Sequence, residues 1–202
     1  MNRRLFCSIF IAFFVNILFS GCTTHNAVMT FNKEADRTVQ TGFEDLKAIV
    51  VYDSWSGNTK LIADEVASVL NCPSVHVDSA GECVMEDYDL IVVGSPVHGG
   101  MPTDKIDTFL SGLESVKASA VFVTYGAPLF GTLTANACLN SMEKKLHQTS
   151  LGRFKCNGFH KIFRTYPKHP DEEDKSEAAR FAAGLMERFF YDDIQESKSL
   201  QK

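Results

Sequence analysis

The pattern of apolar and polar positions divides the chain into alternating strands and helices from residue 46 onward. Ala48 to Tyr52 is a short β-branched run that reads as a buried strand. Asp53 to Thr59 is small and polar, with one glycine. From Asn58 the apolar period lengthens: Ile62, Val66, Val69 and Leu70 fall at i, i+4, i+7 and i+8, one face of a helix. Ser74 to Asp78 reads as a second strand, and Ser79 to Asp89 as an acidic irregular stretch. Leu90 to Gly94 is continuously apolar, as a parallel strand covered on both faces is. Thr103 or Asp104 can cap a helix whose Ile106, Phe109, Leu110 and Leu113 share a face. Ala120 to Thr124 gives a fourth strand, and a helix over 133–147 turns Ala135, Cys138, Leu139, Met142 and Leu146 inward. Lys155 to Phe163 carries a weaker fifth strand. A last helix over 175–190 presents Ala178, Phe181, Ala182, Leu185 and Phe189.

Strands alternating with helices imply an α/β domain over 46–190, a parallel sheet with helices on both faces. A polar tail, 191–202, follows. Ahead of the domain the pattern changes twice. Asn2-Arg3-Arg4 is a positive start, Leu5 to Phe19 is strongly apolar, and Ser20-Gly21 are small residues before Cys22. That order reads as a secretory signal over 1–21, too short and too abruptly ended for a confident membrane span. Residues 22–45 are polar and unpatterned, a flexible tether.

Composition changes the picture little. The formal charge is −5 over 202 residues, which argues against a nucleic-acid binder. Cys72, Cys83, Cys138 and Cys156 remain in the domain, and no Cys-x-x-Cys is present. An exported location permits disulfides, but four cysteines allow three full pairings. His25, His76, His147 and His160 lack ligand spacing, so no metal site is expected.

The turn between the first strand and first helix holds the candidate chemistry. The first N–H groups of a helix have no intrahelical partner, and the helix dipole adds partial positive charge there. Ser54, Ser56 and Thr59 can donate hydroxyl hydrogen bonds to a phosphate, and Gly57 lets the backbone come close. No Lys or Arg lies within Ser54–Thr59, so neutral donors would hold the anion.

Ser54-Trp55-Ser56-Gly57-Asn58-Thr59, following a strand that ends at Tyr52, resembles the flavodoxin phosphate loop, Ser/Thr-x-Ser/Thr-Gly-Asn-Thr. The likeness implies a flavodoxin-like, doubly wound, five-stranded sheet of order 2-1-3-4-5, with FMN bound at its switch point; flavodoxin itself is the type case of that order, so the order comes with the resemblance. It covers about 46–190. Two further loops would then flank the flavin ring, through Pro96, Val97, His98 and Gly99 on one side and Tyr125, Gly126 and Ala127 on the other, with Phe130 a further aromatic cover. Gly99 and Gly100 are the positions at which a backbone flip beside the ring would cost least. Trp55 could pack near the ring or the ribityl chain. Lys168-His169-Pro170-Asp171-Glu172-Glu173-Asp174 also recurs in family members and reads as a turn and helix start. Leu18-Phe19-Ser20-Gly21-Cys22 resembles a bacterial lipobox, in which Cys22 is lipidated and becomes the mature N-terminus. One departure is Phe19 where Leu is usual.

Together these readings imply an FMN-binding redox protein held by a lipid to the cell envelope, passing electrons to a partner protein or small acceptor, with no side-chain catalytic residue. The loop after the fourth strand departs from electron-carrier flavodoxins, since no carboxylate lies between Tyr125 and Ala137. Two alternatives therefore stand beside the first: an FMN-dependent NAD(P)H:quinone-type reductase, and a tethered binding module that has lost the flavin.

Overall fold

The structure, a computed structural model, describes residues 46–114, 116–147 and 150–199, with side chains through 192. The expected signal over 1–21, Cys22 and the tether over 22–45 lie outside the described residues.

Ala48–Tyr52 forms strand β1, every residue of it buried. It finds cover on both faces by alternation: Ala48, Val50 and Tyr52 enter one core, Ile49 and Val51 the other. Helix α1, Asn58–Leu70, buries Ile62, Ala63, Val66, Ala67 and Leu70. Burying a Val, Leu or Ile side chain stabilises by roughly 1.5–3 kcal/mol, so this face holds the helix although Gly57 at its N-cap has no side chain to cap it. The helix ends at Asn71, in the left-handed conformation (φ 50°) that Asn tolerates, and the Cys72 N–H reaches back to the Ala67 carbonyl at 3.0 Å.

The remaining elements are β2 (Ser74–His76), 3₁₀ turns over Val77–Glu82 and Met85–Asp87, β3 (Leu90–Pro96), α2 (Asp104–Gly112), β4 (Ala118–Tyr125), α3 (Gly131–Glu143), β5 (Ser150–Asn157) and α4 (Glu172–Ser199). The five strands are parallel, in the order β2-β1-β3-β4-β5, as expected. Buried residues of α1 and α4 pack on one face, those of α2 and α3 on the other. Thr103 is the α2 cap, its Oγ1 accepting the Ile106 N–H loosely at 3.5 Å.

Several boundaries differ from the sequence reading. β2 stops at His76, because the His76 Nδ1 accepts the Asp78 N–H (3.3 Å) and draws the chain into a turn. α3 occupies 131–143 rather than 133–147. β5 is Ser150–Asn157 where Lys155 to Phe163 was expected, starting five residues earlier and ending six earlier: it is an edge strand, only Cys156 of it buried, so its apolar signal is weak. α4 continues past 190 to Ser199, since no Gly or Pro follows Tyr191 to stop it.

Candidate functional site

Strand β1 delivers the chain through Asp53 to Gly57 into α1. Gly57 stands just before the helix with φ 90°, a conformation strained for any residue with a Cβ although the space around it is open. The first turn of α1 contains no acidic residue. Two of the orphan donors are satisfied locally: Ser54 Oγ takes the Lys60 N–H at 3.1 Å and the Gly57 carbonyl takes that of Leu61 at 3.0 Å. Among the described residues no acceptor takes the N–H of Ser56, Gly57, Asn58 or Thr59. The result is a positive helix end with free donors, the arrangement that favours an anion.

The side chains divide their work. Ser54 uses a lone pair on Lys60 and keeps its proton; Ser56 is exposed. Thr59 is buried, its Oγ1 2.9 Å from Thr124 Oγ1 in β4, so with Thr124 donating, the Thr59 proton is free. The Asn58 amide is spent elsewhere, Nδ2 donating to the Phe159 carbonyl at 3.0 Å, which leaves Asn58 its main-chain N–H for the turn. Trp55 is 63 % exposed, and its ring meets that of His98 edge-on, centroids 5.0 Å apart at 71°. The loops after β1 and β3 are thus brought together.

After β3, Ser95 is fully buried and braces the loop: its Oγ accepts the Thr103 N–H (3.1 Å) and donates to the Pro96 carbonyl (3.0 Å). The Val97 N–H donates to the Thr124 carbonyl at 2.9 Å. His98 and Met101 then exchange both main-chain hydrogen bonds, at 2.9 and 3.0 Å, around Gly99 (φ 60°) and Gly100 (φ 88°). Two successive positive φ angles are what a tight two-residue turn demands, and Gly-Gly meets it.

After β4, the Tyr125 ring is held by the start of α3. A Cβ on Gly131 would come within 2.9 Å of it, and its hydroxyl lies 3.3 Å from Thr132 Oγ1. Leu129 and Phe130 beyond it are each 75 % exposed. Gly126 and Ala127 adjoin a fourth loop, after β5, that the sequence reading left out of the site. A Cβ on Gly126 would meet the Gly158 carbonyl and His160 Cβ, both at 2.7 Å, and one on Gly158 would meet Asn58 Nδ2 at 2.8 Å. Thr165 Oγ1 donates to the Gly126 carbonyl. The ends of β4, β5 and α1 therefore meet at main-chain distance. The available signal was a glycine just past the end of both neighbouring strands.

Asp53 also escaped the sequence reading. It is 3 % exposed; its Oδ1 accepts the Ser54 N–H at 2.7 Å and lies 3.2 Å from His76 Nε2, while Oδ2 is buried with no partner. This carboxylate fixes the first residue of the turn into α1. Nearby, Lys105 pairs with Asp78 at 2.6 Å and holds that carboxyl below its ordinary range. A hollow of about 560 Å³ opens there, lined by Val77, Ala80, Cys83, Met85 and Phe109. Asp78 and Asp104 line it with Lys105, two carboxylates to one ammonium, so the start of α1 is the better candidate for an anion.

His169, Asp171 and Asp174 converge, but as the cap of α4. Asp174 Oδ2 takes the His169 Nδ1 (2.6 Å) and the Asp171 N–H (2.9 Å), and Asp171 Oδ1 takes the N–H groups of Glu173 and Asp174 (3.0 and 3.1 Å). Cys72, Cys83, Cys138 and Cys156 are free thiols.

Comparison with known proteins agrees with this fold. The model of the Flavodoxin domain matches residues 49–165, more than half of the chain. An uncharacterized protein of Methanocaldococcus jannaschii is 30% identical over 149 residues, which cover 70% of this chain and 99% of that protein. Oxidised flavodoxin 1 from Bacillus cereus superposes with a TM-score of 0.53 at 22% identity, covering 70% of this chain and 97% of that one. A flavodoxin from the domain Archaea gives 0.52 at 20% identity, covering 71% and 99%. The superpositions show the fold, and the sequence matches show the kinship: the chain belongs to the flavodoxin domain family.

Proposed function

We propose that this chain is an FMN-binding redox protein of the cell envelope that transfers electrons, tethered to a membrane through a lipid on Cys22. One observation carries the reading: the first turn of α1 contains no carboxylate and offers unpartnered N–H groups beside Ser54 and Ser56. Its residues fit a phosphate monoester. The N–H groups of Ser56 to Thr59 and the hydroxyls of Ser54, Ser56 and Thr59 would hold it. Trp55 and His98, with the main chain of Pro96 to Gly99 and of Tyr125 to Ala127, would flank the ring. Bound FMN supplies electron transfer through its ring system, and the protein supplies placement and exclusion of water.

The carboxylate-free loop from Tyr125 to Ala137 favours a second reading, an FMN-dependent NAD(P)H:quinone-type reductase. Purified full chain should carry or take up FMN, seen as a flavin band in its visible spectrum. Mass analysis of the mature N-terminus should find a diacylglyceryl-modified Cys22. Rapid quinone-dependent NADH oxidation by the loaded chain would select the reductase. A chain that stays colourless in excess FMN would overturn both readings.

A further inference from the structure

The loop that closes β5 is where positive charge and exposed apolar side chains alternate. Ile162 is 84 % exposed and Phe163 60 %; they stand between exposed Lys161 and Arg164, with exposed Lys168 following. The tip has a defined shape. The His160 N–H donates to the Thr165 carbonyl (3.1 Å), the His160 ring stacks on Phe163 (centroids 4.6 Å apart at 30°), and its Nδ1 accepts the Phe163 N–H (3.2 Å).

Several basic side chains elsewhere have carboxylates beside them: Lys60 with Asp64, Lys145 with Asp107, Arg153 with Glu143, Lys175 with Glu172; Lys155 and Arg188 are held instead by Asn136 Oδ1 and the Leu151 carbonyl. Among the described residues Lys161, Arg164 and Lys168 have none within ion-pair reach. The sequence explains why. From Gly126 to Pro170 the chain has one carboxylate, Glu143, against seven Lys and Arg; from Leu46 to Tyr125 it has eleven against four. A basic, apolar tip thus projects from an acidic protein.

We propose that Lys161, Ile162, Phe163 and Arg164 form a docking point for an acidic electron-transfer protein. The inference rests on the flavin reading above. The tip adjoins a loop assigned to the ring, through Thr165 on the Gly126 carbonyl and His160 against Gly126, so a partner seated on it sits beside the redox centre. Apolar side chains flanked by cations are the composition of an interface centre with a charged rim, and opposite charge steers the encounter. An anionic bilayer fits less well. It is a plane wider than the loop, whereas a small protein covers the tip alone.

The full chain is titrated at low ionic strength against two immobilised probes: a plant-type two-iron ferredoxin, which is acidic, and a basic cytochrome c. Two double variants run alongside, Lys161→Glu/Arg164→Glu and Ile162→Ser/Phe163→Ser. The expected result is binding to ferredoxin in preference to cytochrome c, weakening as salt rises. Each double variant should weaken it at least tenfold, with FMN uptake unchanged in the visible spectrum. Tighter binding of cytochrome c, or ferredoxin binding indifferent to the charge variant, overturns the proposal. So does charge-dependent capture by phosphatidylglycerol over phosphatidylcholine vesicles with ferredoxin ignored, which assigns the tip to a membrane. A chain that holds ferredoxin through Lys161 and Arg164 yet takes up no FMN supports the docking surface and overturns the flavin reading alone.

Discussion

Replacing Thr59 by Val removes one hydroxyl and keeps the shape of the side chain. Thr59 Oγ1 lies 2.9 Å from Thr124 Oγ1, and both residues are buried. The change orphans the Thr124 hydroxyl, and an unsatisfied buried polar group costs about 1–3 kcal/mol. Thr124→Val orphans Thr59 in the same way, at a similar cost. Removing both leaves no orphan, so the double variant should be destabilised by less than either single one. Flavin affinity separates the two residues. Thr59 alone sits in the first turn of α1, so Thr59→Val removes a donor to phosphate. A hydrogen bond to a charged group is worth about 1.5–3 kcal/mol, or roughly ten- to a hundredfold in Kd. Thr124→Val should leave Kd within about threefold, since that hydroxyl reaches the site only through Thr59. Stability is read by urea unfolding with the fluorescence of Trp55, the only tryptophan, and affinity by FMN titration. Additive stability losses would refute the hydroxyl pair. Equal losses of affinity in both single variants would refute Thr59 as a phosphate donor.

Other consequences are as direct. A Cβ on Gly94 would lie 2.1 Å from Phe122 Cζ in a fully buried ring, so Gly94→Ala should cost about 1–3 kcal/mol in urea unfolding, with part recovered by adding Phe122→Leu; strict additivity would contradict the contact. The Asp174 N–H holds the Asp171 carboxyl below its ordinary value of 3.8. A depressed folded pKa contributes stability that is present above the unfolded value and lost as pH falls through the folded one. Melts of Asp171→Ala and the parent should therefore differ at neutral pH and converge below about pH 3.8; a gap constant with pH would contradict the cap. Burial pushes the Cys72 thiol up to about 11 and that of Cys138 to about 12, so iodoacetamide at neutral pH should label both far more slowly in the native chain than in urea, and fast native labelling would show them reachable as thiolates.

The fold was legible where local pattern and burial coincide. β1, β3 and β4 are buried on both faces, and their continuous apolar runs announce it. α1 showed its face through Ile62, Val66 and Leu70, because one stripe supplies its packing. β5 was misplaced because an edge strand is buried on one side at most, and Arg153 and Lys155 interrupt its pattern. The end of α4 is mostly polar in sequence, so hydrophobic period carried no information there. In the candidate site, the small polar turn between β1 and α1 could be read since its residues are contiguous. What stayed hidden is non-local: Trp55 against His98, Asn58 on the Phe159 carbonyl, Gly126 against Gly158, and Asp53 beside His76. Each joins segments that only the parallel sheet brings together.

The central claim, that the start of α1 grips the phosphate of a mononucleotide, is tested most directly by titrating the full chain with FMN and with riboflavin under identical conditions. The two share the ring and differ in the phosphate alone. Several charge-assisted hydrogen bonds at about 1.5–3 kcal/mol each predict that FMN binds at least a hundredfold more tightly. Equal affinity for the two would contradict the account.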